Sequence, residues 1–189
     1  MNDMTTDLSQ PATAADVLAF WRHAGSTKWF TKDAAFDAEI KTRFLATYEA
    51  AAAGMLDGWE AKPDTALALL ITLDQFPRNM FRNDARTFAA DARARAIADR
   101  ALARGFDQQV PADERQFFYL PFEHSEDPAD QARNLALTRA SGDAELVKWA
   151  ELHADIIRKF GRFPHRNAAL GRATTAEEQA FLDGGGFAG

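Results

Sequence analysis

Ala66-Leu67-Ala68-Leu69-Leu70-Ile71-Thr72-Leu73-Asp74-Gln75-Phe76-Pro77-Arg78-Asn79-Met80-Phe81-Arg82 joins the most apolar run of the chain to an acid, amides and two arginines. Leu67, Leu70, Ile71 and Asp74 fall at i, i+3, i+4 and i+7, one face of a helix. Leu69 and Leu73 make the other sides apolar as well, the mark of a central, fully packed helix. The spacing predicts a helix from Thr65 to about Gln75, capped by Asp64 and ended by Pro77. Asp74 then turns its carboxylate to the core. Charged side chains are rarely buried unless paired, because lost hydration costs several kcal/mol per ion. Arg78, one turn on, is the expected partner. Asp74 thus reads first as a lock for the arginine and second as a site carboxylate.

Outward from this helix, other segments repeat the pattern of apolar face and terminal signal. Thr13 caps a first helix from Ala14 to His23, stopped by Gly25; Asp37 is the expected cap of a second, running to Ala53. A fourth is expected over Ala85–Arg104, with Arg93, Arg95, Arg100 and Arg104 on its solvated face. Pro111 opens a fifth, through Phe117, Phe118 and Leu120, and Pro121 should end it. Ser125 or Asp127 caps a sixth, opened by Pro128. The seventh spans Ala144 to Phe160, and Thr175 with Glu178 forms a capping box for a last helix to about Leu182. No segment alternates with the period of a strand. The fold class expected is all-α: about eight helices in antiparallel pairs in a single domain over 13–183. A polar leader over 1–12 and a flexible glycine-rich tail over 184–189 flank it.

Composition narrows the function. The 189 residues are 47% apolar and 26% charged, as in soluble globular proteins. The absence of cysteine excludes disulfides, thiol catalysis and thiolate metal sites. The acidic start and the lack of a long apolar run point to a cytoplasmic protein with no membrane span. A net charge of −6 argues against nucleic acid. Sixteen of the 22 basic residues are arginine, the side chain suited to a planar grip on carboxylate or phosphate.

Two further stretches concentrate polar groups after apolar helices. Arg162-Phe163-Pro164-His165-Arg166-Asn167 sets three basic side chains and an amide among two apolar residues, the pattern of an anion cradle. Tyr119-Leu120-Pro121-Phe122-Glu123-His124-Ser125-Glu126-Asp127 places a histidine and several acids in a turn between helices. His153 lies on the apolar face formed by Leu146, Trp149, Ala150, Ile157 and Phe160. Neither His-x-x-x-His nor His-Glu-x-x-His occurs, so no metal is expected and no other cofactor is implied. Glycine-rich phosphate loops and a Gly-x-Ser-x-Gly elbow are also absent.

Taken together, these three motifs resemble those of the bacterial domain-of-unknown-function family 924. The likeness runs from about Val17 to Leu182 and includes Phe20-Trp21 and Leu170-Gly171-Arg172. The resemblance implies an all-helical fold of the tetratricopeptide-like superfamily and carries no activity or catalytic residue. The leading expectation is a small anionic ligand held by Arg78, Asn79, Arg162, His165, Arg166 and Asn167. One alternative is an enzyme in which His124 and His153, oriented by Asp74, run acid–base chemistry on a phosphorylated or carboxylated substrate. The other is a protein-interaction module of tetratricopeptide-like type.

Overall fold

The computed structural model describes residues 10–187. The fold is all-α, 73% helical, with no strand among the described residues. Its helices are α1 (Ala14–Ala24), α2 (Ser26–Trp29), α3 (Ala34–Ala52), α4 (Pro63–Leu70), α5 (Phe76–Met80) and α6 (Asp91–Ala103), followed by α7 (Leu120–Glu123), α8 (Pro128–Ser141), α9 (Ala144–Phe160) and α10 (Ala176–Asp183). The chain divides into two compact units. The first runs to Arg82 and resumes over Arg86–Phe118; the second comprises Asn83–Ala85 and the chain from Tyr119 onward. No helix among the described residues is long and apolar enough to cross a membrane.

In the first unit, α4 is the centre, and Ala66 through Ile71 are wholly buried. Phe76 packs on Phe44 at 4.8 Å and edge-on to Trp21 at 5.8 Å, which ties α1 and α3 to α5. Pro77 does not end the central helix as expected. Ile71–Gln75 form a π turn, and α5 continues beyond it with Pro77 in its first turn. Phe76 N–H reaches back five residues to Ile71 O. The wider turn changes the spacing at which a proline ring would otherwise press on the carbonyl four residues back.

Other boundaries shift for equally local reasons. Asp33, not Asp37, caps α3, its carboxylate accepting from the N–H groups of Ala35 and Phe36. Asp37 bonds Asn79 and Arg82 instead. The helix expected from Ala85 begins as a 3-10 turn over Ala85–Phe88, and α6 starts only at Asp91. Arg100 and Arg104 are exposed as expected, Arg93 and Arg95 are half-buried, and Arg93, Arg100 and Arg104 reach neighbouring groups. Arg100 grips both carboxylate oxygens of Glu60 at 2.8 Å, Arg104 donates to Glu60 O and Ala61 O, and Arg93 pairs with Asp57. The fifth helix is a 3-10 segment over Ala112–Phe118, and Pro121 lies in the first turn of α7 rather than ending a helix. Thr13 and Asp16 complete a capping box on α1. Thr13→Ala is expected to lower unfolding free energy by about 1 kcal/mol in urea denaturation; an unchanged midpoint would show that the box contributes nothing.

In the second unit, α8 and α9 lie against each other, turned by Gly142 in the left-handed conformation and restarted by the Asp143 cap. Ile156, Ile157 and Phe163 form a core on which Phe160, Phe181 and Phe187 rest. The Thr175–Glu178 capping box forms as expected. Gly184, Gly185 and Gly186 make a turn closed by N–H bonds to Ala180 O, Leu182 O and Phe181 O.

Candidate functional site

The polar groups at the end of the central helix hold one another. Asp74, 1% exposed, accepts a hydrogen bond from Gln75 Nε2 at 2.7 Å and stands 3.4 Å from Arg78. Arg78 also donates to Asp74 O and lies along both oxygens of Asp91 at 3.1 Å. Burial works against the guanidinium charge, but Asp74 and Asp91 outweigh it and hold the pKa above the ordinary arginine value. Asn79 donates to Asp37 Oδ1 at 2.7 Å, and Arg82 binds both oxygens of the same carboxylate. The polar atoms proposed for a ligand at Arg78 and Asn79 are engaged within the first unit. A groove of about 450 Å³ in this unit, lined by Phe20, His23, Lys28, Phe36, Glu39 and Arg43 among others, contains none of the candidate ligand-binding or catalytic residues.

The second unit gathers three histidines. α7 ends at His124, α9 carries His153, and the 3-10 turn Pro164–Arg166 presents His165. The His124 and His153 rings are 6.5 Å apart. Phe163 stands 5.6 Å from both His153 and His165, and the Arg166 guanidinium lies 4.5 Å over the Phe163 ring.

His153 Nδ1 is 2.9 Å from Trp149 O, a pure acceptor, so this nitrogen carries the proton. Glu123 Oε1 stands 3.5 Å from the same atom, and Asn134 donates to Glu123 Oε2 at 3.0 Å. The carboxylate beside His153 is therefore Glu123, where the sequence offered Asp74. His165 Nδ1 is buried with no hydrogen-bond partner among the described residues. Burial, then the positive charge of Arg166, hold the His165 pKa down at about 3, so the ring is neutral at physiological pH. Among the described residues no group of three His, Asp or Glu side chains is arranged to hold a metal ion.

Arg162 and Asn167 face another task. Arg162 makes a two-bond pair with Glu178 at 2.6 and 2.8 Å and donates to Ala173 O. Asn167, wholly buried, donates to Glu178 Oε2. The Arg162 bonds, with the Thr175 N–H, depress the Glu178 pKa to about 2. Arg172 binds both oxygens of Glu126, which also accepts from Phe163 N–H. Of the expected cradle, His165 and Arg166 join the histidine cluster, while Arg162 and Asn167 pin α10.

Sequence reasoning missed three supports. Gln131, Asn134 and Thr138 recur at i, i+3 and i+7 on α8 and are at most 2% exposed. This polar stripe was the available signal for the grip on Glu123, and Gln131 holds the α7 loop through the carbonyls of Glu123 and Ser125. Phe187, distant in sequence, packs at 4.6 Å on His153.

The family model described as "Bacterial protein of unknown function (DUF924)" matches residues 17–186. The chain belongs to this family. A solved structure, "Structure of Protein of Unknown Function ATU0120 from Agrobacterium tumefaciens", is 50% identical, with a TM-score of 0.88, covering 90% of this chain and 97% of its own. No curated protein matches the chain. The family match spans every histidine of the cluster, along with Glu123 and Arg166.

Proposed function

We propose that this DUF924-family protein binds a small anion, carboxylate or phosphate, at the histidine cluster of the second unit. The observation carrying this reading is the buried His165 Nδ1 left without a partner, beside the buried Arg166. A buried polar nitrogen without a bond costs about 1–3 kcal/mol, a cost that a ligand atom would relieve. Arg166 supplies charge, His165 a hydrogen bond, and Phe163 a wall. Arg78, Asn79, Arg162 and Asn167 leave the ligand set because internal acids occupy them. A cytoplasmic setting remains part of this proposal.

Titrating inorganic phosphate or acetate into the full chain, with NMR detection of histidine ring protons, tests it. A saturable His165 shift is expected, with the His165 pKa raised by the bound charge and the response lost in His165→Gln. Absence of any His165 response at high millimolar anion would sink the reading.

Acid–base chemistry is the second reading, favoured by the Glu123–His153 pair. With Nδ1 protonated against Trp149 O, His153 Nε2 is left as the proton acceptor, the arrangement of a general base. Nitrogen-15 shifts should show Nδ1–H on His153. The opposite tautomer would overturn this role.

A further inference from the structure

Phe187 occupies a position that the anion reading leaves unexplained. Its ring meets His153 edge-on at 4.6 Å and His165 edge-on at 5.2 Å, and it lies 6.5 Å from Trp149. The ring therefore stands against two of the three clustered histidines. The turn that delivers it is built for that placement. Gly185 adopts a φ of +78°, favoured by glycine, and a Cβ on Gly186 would lie 2.6 Å from both the Phe181 ring and its carbonyl. Gly186 N–H closes the turn on Phe181 O at 2.9 Å. Yet Phe187 is only half-buried and rests on the margin of the core. An aromatic ring on a glycine turn, against histidines rather than within the core, has the geometry of an occupant that can leave.

We propose that Phe187 is a displaceable plug of the histidine site, and that the ligand replacing it joins a flat apolar ring to an anionic group. The second half rests on the anion reading; the first stands on ring geometry alone. Vacating the slot would expose the faces of His153 and His165 with Phe163 behind them, surfaces suited to an aromatic ring. Arg166, stacked on Phe163, would meet the charge of the same molecule. Binding then requires the glycine turn to open, so occupancy of the slot and position of the segment after α10 are linked.

Two measurements on the full-length chain separate the halves. Diethyl pyrocarbonate modification, read residue by residue by mass spectrometry, reports access to neutral imidazoles, with exposed His23 as reference. In Phe187→Ala, and independently in Gly186→Ala, His153 and His165 are expected to react about tenfold faster, the order an aromatic pair confers, with His23 unchanged. Unchanged rates at both histidines in both variants overturn the plug. Calorimetric titration with phenyl phosphate and inorganic phosphate tests the ligand. Phe187→Ala should gain affinity for phenyl phosphate by a similar factor and change little toward phosphate. Faster modification with binding of neither anion supports the plug and overturns the anion reading. Phosphate binding without a gain for phenyl phosphate overturns the aromatic class.

Discussion

Arg78→Ala is expected to lower the unfolding free energy by about 3–5 kcal/mol, the cost of removing one partner from a buried ion pair. The reason lies in what the arginine leaves behind. Asp74 is 1% exposed and Asp91 8% exposed, and Arg78 pairs with both. Without it, both buried carboxylates lose the cation that offsets their desolvation. The loss should appear as a lower urea midpoint. A double-mutant cycle of Arg78→Met with Asp91→Leu measures the coupling of that pair, while Asp74 loses its cation in both Arg78 variants. A normal midpoint for Arg78→Ala would return Arg78 to the set of ligand-binding candidates.

Mild acid is expected to weaken the fold through His165. The ring's folded pKa is about 3, against an ordinary value of 6.5. Between those values the unfolded chain binds a proton that the folded chain refuses, so stability falls as pH falls. One proton corresponds to up to about 1.4 kcal/mol per pH unit. Burial is the first cause; the Arg166 charge adds to it, and Glu126 opposes it. Glu178, depressed from 4.5 to about 2, loses its stabilising charge only below pH 4.5. The window from pH 6.5 to 4.5 therefore isolates the histidine from Glu178. His165→Gln should flatten the stability curve there, and an equally steep curve in the variant would assign the proton to another group.

The class of fold was legible because α1, α8, α9 and α10 carry their terminal signals locally. Thr13, Asp127 and Thr175 cap as their side chains suggest. Prolines misled wherever geometry could adapt. Pro77 and Pro121 each read as a stop, yet Pro77 follows the π turn that relieves its clash and Pro121 lies in the first turn of α7. Asp37 fitted a cap by position but serves Asn79 and Arg82, a pairing 42 to 45 residues distant that no local pattern encodes. The candidate site was partly visible: the motifs around His124 and His165 marked it, and the apolar face of α9 marked His153. Its supports were not. Glu123 gains meaning only once Asn134 and His153 meet it in space, and Phe187 only once a glycine turn brings it back.

The π turn over Ile71–Gln75 makes the segment before Arg78 one residue longer than a regular helix would need. Each residue of an α-helix turns the chain by about 100°. Winding the same residues as regular α-helix, with none removed, would rotate Arg78, Asn79 and Arg82 by roughly that angle relative to Asp91 and Asp37. The wide turn thus works as a phase setting: by absorbing one residue it fixes the direction in which three cationic and amide side chains leave the helix, independently of what those side chains are.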